Sequence, residues 1–323
     1  MFLVNTLIAA LAFVGRHGTL AVALSIFIGL LLPSFAAAFK PLLGETIVVL
    51  LTLAFLRVSP AALGALARRP VLVLAAAAWV MLALPVALAA LFTVAGIKAA
   101  LPDLYFILIL QSCAPALMSS PALAGLMGLD VALTLATLVL STAIVPFAAG
   151  AFMHVFLGTR LIGPFDFGLR LFLLIAGSAA LATVIRRIAS NERVEAQREL
   201  VDGLSVVGMF IFAMAAMDGV AAHTLADPGL VAALTALSFA LALGVMALTT
   251  LVFLPAGRHR AFAIGILASN RNLGVMLAAT GFMVPDLAWL YFGVAQFPIY
   301  LLPMLLKPLA RRLEQADISA SST

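Results

Sequence analysis

Residues 261–281 read AFAIGILASNRNLGVMLAATG, an apolar stretch with Ser269, Asn270, Arg271 and Asn272 at its middle. A charge near the centre of a membrane-length segment costs about 2.5 kcal/mol or more unless it is partnered or lines a wet cavity. Arg271 is therefore a candidate binding residue. Its planar fork of donors suits a carboxylate or sulfonate, and equally the exposed carbonyl end of a broken helix. Two plainer uses stay open to it: snorkelling to lipid headgroups, or pinning two helices together. Three consecutive strongly polar residues, Asn270 to Asn272, point three ways around a helix and so suit an interruption, with Gly274 just beyond.

A second constellation lies at 111–121, where Gln111, Ser112, Cys113, Ala114 and Pro115 are followed by Ser119, Ser120 and Pro121. Each proline removes a helical N–H and clashes with the preceding turn, so an unbroken helix here is not expected. Backbone groups freed inside a membrane must face protein or a water-lined cavity. The hydroxyls of Ser119 and Ser120 and the amide of Gln111 are then candidate ligand contacts beside Ser269, Asn270, Arg271 and Asn272. Gln296 is a further uncharged polar group within an apolar window. The commoner use of such groups is helix-to-helix hydrogen bonding, worth about 0.6 kcal/mol.

Composition fixes the solvent. Of 323 residues, 65% are hydrophobic and 10% charged, and the mean hydropathy is +1.24. Ordinary soluble domains carry about 25% charged residues. Too few charges exist to coat a water-facing surface, so the chain reads as a polytopic membrane protein. The net charge of +5 comes from scattered basic residues, a pattern that fits membrane topology and gives no nucleic-acid surface. One cysteine excludes a disulfide framework, and four dispersed histidines form no zinc pattern, so neither a metal nor another cofactor is expected. No nucleophile, base and orienting group converge, which argues against an enzyme.

Windows of about 20 apolar residues place helices near 19–38, 42–57, 70–94, 103–126, 130–157, 166–186, 200–221, 229–254, 259–282 and 286–306. Residues 1–18 form an apolar leading segment and 307–323 a C-terminal tail. Arg16, Arg57, Arg68, Arg69, Arg186, Arg187, Arg193, Arg198, Arg258, Arg260, Lys307, Arg311 and Arg312 fall on one face of this ten-helix layout. Only Lys40, Lys98, Arg160 and Arg170 fall on the other. The basic face is cytoplasmic by the positive-inside rule, with both termini on it; the connection at Asp130 is the one lacking a basic residue. The one long polar connection, 186–202, reads as a cytoplasmic linker. Five helices in 19–157 and five in 158–306 put the halves in opposite orientation, the geometry of an inverted repeat, and make the interrupted fourth and ninth segments counterparts.

The chain resembles the bile acid:sodium symporter family, whose bacterial members are ten-helix transporters. The match is best over 113–146, where Ala114-Pro115, Ser119-Ser120-Pro121, Asp130-Val131-Ala132-Leu133-Thr134 and Ser141-Thr142 before Pro146 echo the family pattern, and the hydropathy layout extends it along the chain. The resemblance implies a panel of helices 1–3 and 6–8, and a core of helices 4–5 and 9–10 in which the fourth and ninth are broken and cross. It also implies two sodium sites, of which Ser120 and Thr134 keep hydroxyls and Asn270 stands for a glutamine. Pro121, Leu138 and the region of Ile266 occupy positions where the family places Asn, Thr and Glu.

The implied function is secondary transport of an organic anion, bile-acid-like or another carboxylate or sulfonate, across a bacterial inner membrane. Sodium coupling is weakened by the lost ligands and by Arg271, which would repel a cation 4 Å away by about 4 kcal/mol at an effective dielectric near 20. A membrane ligand-binding or sensor protein that keeps the fold without transport is the alternative. Oligomeric state stays open.

Overall fold

The computed structural model describes residues 18–58, 69–158 and 163–321. The leading segment and the basic residues Arg16, Arg68 and Arg160 lie outside the described residues. The described chain is helical, with no strand among those residues. In order the helices are α1 (Gly18–Leu31), α2 (Pro33–Phe39), α3 (Leu43–Arg57), α4 (Pro70–Ala78), α5 (Leu84–Val94), α6 (Ile97–Ala100), α7 (Pro102–Cys113), α8 (Ser120–Leu126) and α9 (Val131–Phe152). There follow α10 (Pro164–Ala189), α11 (Asn191–Ala196), α12 (Arg198–Ala216), α13 (Val220–Ala226), α14 (Pro228–Phe253), α15 (Arg258–Ser269), α16 (Leu273–Ala279), α17 (Asp286–Val294) and α18 (Gln296–Ser321).

Proline sets many of the starts. Pro33, Pro70, Pro102, Pro164 and Pro228 each open a helix, at the position where a missing N–H costs nothing. Seven helical runs among the described residues are long and apolar enough to cross a bilayer: Pro33–Arg57, Pro70–Val94, Val131–Leu157, Pro164–Ala189, Arg198–Ala226, Pro228–Ala256 and Asp286–Ala310. This is an all-α membrane protein.

Three boundaries differ from the sequence reading. The expected turn near 39–41 is a single 3₁₀ turn, Lys40–Leu42, inside a continuous run, and the break falls instead at Leu32, just before Pro33. The 186–202 linker is largely helical: α10 continues to Ala189, Ser190 turns the chain at φ 67°, and its hydroxyl accepts from the Arg193 N–H to start α11. The final helix runs on to Ser321, through most of the segment read as a tail.

Two compact units divide the chain. The first comprises Met1–Ser59 and Leu173–Ala233. Here α12 packs along α1, α2 and α3. A Cβ at Gly29 would stand 2.9 Å from the Met214 carbonyl oxygen, so α1 and α12 meet almost backbone to backbone, the small-residue contact that membrane helices favour. At one end of this unit Arg57 pairs with Asp202 at 2.7 Å, and Arg186 Nη2 donates to the carbonyls of Leu56 and Val58 at 2.6 and 2.8 Å. Those bonds satisfy carbonyls that the end of α3 leaves open.

The second unit comprises Pro60–Phe172 and Leu234–Thr323. Its centre is α9, packed on α4, α8, α15 and α7, while α7 also meets α5, α16 and α17. Asp130 caps α9 by accepting from the Leu133 N–H at 2.9 Å, and its other oxygen lies 3.5 Å from Arg69. The connection without a basic residue of its own is thus matched by one from the start of α4.

Candidate functional site

Two interruptions meet in the second unit. Pro115 has no N–H to give the Gln111 carbonyl and drives the preceding residue out of the helical region. Ala114 accordingly lies at φ −66°, ψ 148°, and its own N–H takes the Gln111 oxygen at 3.2 Å. Helix α7 stops there. Pro121 does not make a second break: it sits in the first turn of α8, where proline is tolerated.

The other interruption has no proline. The Ile266 carbonyl accepts from the Asn270 N–H at 3.3 Å, Asn270 Nδ2 at 2.9 Å and Ser269 Oγ at 3.0 Å. Local side-chain bonds of this kind compete with the helix ladder and end it. Asn270 is extended at φ −93°, ψ 97°, and two residues later Asn272 caps α16 by accepting from the Val275 N–H. Gly274 lies inside α16, beyond the break, because Asn272 needs no glycine-only conformation at φ −84°.

The two links pair with each other. The Leu117 N–H donates to Asn270 O and the Asn272 N–H to Pro115 O, both at 2.8 Å, an antiparallel bridge centred on Ala116 and Arg271. Backbone groups that lipid could not satisfy therefore satisfy one another.

Arg271 lies between them, 4% exposed. Nη1 donates to the Ala114 carbonyl at 2.9 Å, the open end of α7, and Nη2 to the Val80 carbonyl at 3.0 Å. Among the described residues it has no ion pair. The buried thiol of Cys113 lies near it. Of the uses open to the guanidinium, bonding backbone carbonyls is the one seen. Val80 is a partner that the sequence reading missed; the signal for it was Pro85, the one proline inside the apolar window 70–94 that does not open it.

The remaining predicted residues fall into two groups. Among the described residues the fully buried hydroxyl of Ser120 finds no hydrogen-bond partner, while Gln111 and the hydroxyl of Tyr291 are neighbours on the packed helices α7 and α17. Ser119, half-buried, makes no cap bond to α8. In contrast Gln296 Nε2 donates to Phe292 O, four residues back in α17, at 3.0 Å, and Thr134 Oγ1 donates to the Asp130 and Val131 carbonyls. Thus Ser269, Asn270, Arg271, Asn272 and Pro115 gather at the crossing.

No protein-family model matches the chain, and no curated protein matches it.

Proposed function

We propose that the chain is a secondary transporter for an organic anion, working by alternating access, and a divergent relative of the bile acid:sodium symporter family. The observation that carries the reading is the buried Arg271 at the pairing of two interrupted helices. Interrupted segments in corresponding halves are the mark of a transporter binding region. On this reading α1 and the interrupted pairs α7/α8 and α15/α16 are crossings beside the seven long runs, and the ten are taken as five and five in an inverted repeat. The basic ends, with Arg57 and Arg186 in one unit and Arg69 in the other, fit a cytoplasmic placement of both termini in an inner membrane.

In this reading Arg271 takes the place of a coupling cation. Its fixed charge and its bonds to two carbonyls do what bound sodium would do, namely neutralise and hold the ends of broken helices. The anion is drawn to the positive potential at the crossing, where Asn272, Ser119 and Gln111 are the partly exposed polar groups and Asn270 and Ser120 are buried.

The test is thermal unfolding of the purified protein with benzoate, benzenesulfonate or submicellar cholate, each in sodium and in potassium buffer of equal ionic strength. A true ligand at a hundred times its Kd adds about 2.7 kcal/mol. At least one anion is expected to raise Tm equally in both buffers. Stabilisation only in sodium would show that Arg271 does not replace the ion, and no stabilisation by any anion would remove the anion carrier. Flux of the stabilising anion in liposomes is the expected companion result; binding without flux would make the protein a sensor.

A further inference from the structure

The window 70–94 contains one internal proline, Pro85. In a regular helix a proline removes one backbone bond and clashes with the carbonyl four residues back. Here the strain is taken up by a π-turn, Trp79–Ala83, just ahead of α5. The Leu84 N–H donates to Trp79 O, five residues back and one residue out of α-helical register. The consequence falls on Val80. Its α-helical donor would be the Leu84 N–H, which Trp79 has taken. Its π-register donor would be the N–H of residue 85, which proline lacks.

Val80 is fully buried, so water does not cover its carbonyl. A buried backbone acceptor left without a donor is costly, and native chains rarely tolerate one. The donor it finds is Arg271 Nη2, at 3.0 Å. The turn is itself held from the side: Trp79 Nε1 donates to Thr249 Oγ1 at 3.0 Å, and the indole meets Phe253 edge-on on α14.

We infer that Pro85 is a positioning residue for Arg271, acting by opening the π-turn and releasing the Val80 carbonyl to the guanidinium. The Arg271 side chain then ties three elements together: the π-turn, the end of α7 and its own link between α15 and α16. This goes beyond the proposed function, because it concerns how the guanidinium is held and stands whether the chain transports or only binds.

Substitution Pro85→Ala tests it, because two accounts give opposite results. If Pro85 is only a defect in a helix, alanine repairs the helix and the crossing is untouched. If Pro85 positions Arg271, the new N–H restores an intrahelical donor for Val80 O and one arm of the guanidinium is released. Cys113 reports on the difference, being the chain's single cysteine, fully buried, and next to the Ala114 carbonyl that Arg271 holds. Labelling of Cys113 by a small maleimide is expected to be about tenfold faster in Pro85→Ala, the size of one charged hydrogen bond. Arg271→Lys, which keeps the charge but cannot fork to both carbonyls, is expected to label faster as well, and Pro85→Ala/Arg271→Lys no faster than the quicker single variant. Wild-type labelling in Pro85→Ala, or effects that multiply in the double variant, would overturn the inference. The anion-binding reading is scored separately, by the Tm shift with benzoate.

Discussion

Arg271→Ala is expected to lower stability by about 3 kcal/mol in the absence of any ligand, and to make that stability respond to millimolar methylguanidinium. The substitution leaves the Ala114 and Val80 carbonyls buried without their donor, at about 1–3 kcal/mol each. Part of that loss is offset because an unpaired buried charge has gone. Methylguanidinium fits the space left behind and can restore both bonds. It should raise the Tm of Arg271→Ala and leave the wild type unmoved, since a ligand stabilises only the state that has a site for it. Sodium ions are a sharper second arm: two converging carbonyls are cation ligands once the guanidinium is absent, so sodium over potassium should stabilise the variant alone. Equal unliganded Tm values for variant and wild type would reduce Arg271 to a substrate contact and remove its structural role.

The crossing was legible in part, for identifiable reasons. A charge in the middle of an apolar segment is marked by residue type, so Arg271 stands out, and Asn270 and Asn272 stand out with it. Pro115 was legible because proline acts on the residue before it, and Ala114 shows the extended backbone that this requires. Pro121 carries the same residue type with the opposite meaning, since in the first turn of α8 proline ends nothing. Gly274 suggested a break where the asparagine side chains had already made one. Val80 was out of reach for a different reason. Every residue carries a carbonyl, so nothing in the type valine marks this one, and its donor lies 191 residues away. Only Pro85 hints at it, and reading that hint requires knowing which register the preceding turn adopts. The turn expected at Lys40–Pro41 misled in the converse way: a proline near the start of a helical turn tightens the helix without stopping it.

Gly265→Ala is the second large effect expected, and its sign separates contact from propensity. Exchanging glycine for alanine within a helix stabilises it by about 1 kcal/mol when nothing else changes. Gly244 on α14 is such a case: among the described residues no atom beyond its own stretch of helix lies within 4 Å of where its Cβ would stand, so Gly244→Ala should raise Tm. Gly265 lies in α15, where every residue from Ala261 to Ser269 is buried. A Cβ there would stand 2.8 Å from the Met246 carbonyl oxygen and closer still to Thr250 Oγ1. The hydroxyl can turn away; the backbone carbonyl of α14 cannot. The helices must separate, which costs about 3 kcal/mol by the usual measure of overpacking, three times the propensity gain and opposite to it. The separation also travels. Helix α15 ends at Ser269, and the next carbonyl, that of Asn270, holds the Leu117 N–H across the crossing. Gly265→Ala should therefore lower Tm and accelerate labelling of Cys113 together, whereas a variant that lowers Tm with Cys113 still protected would confine the clash to α14 and α15.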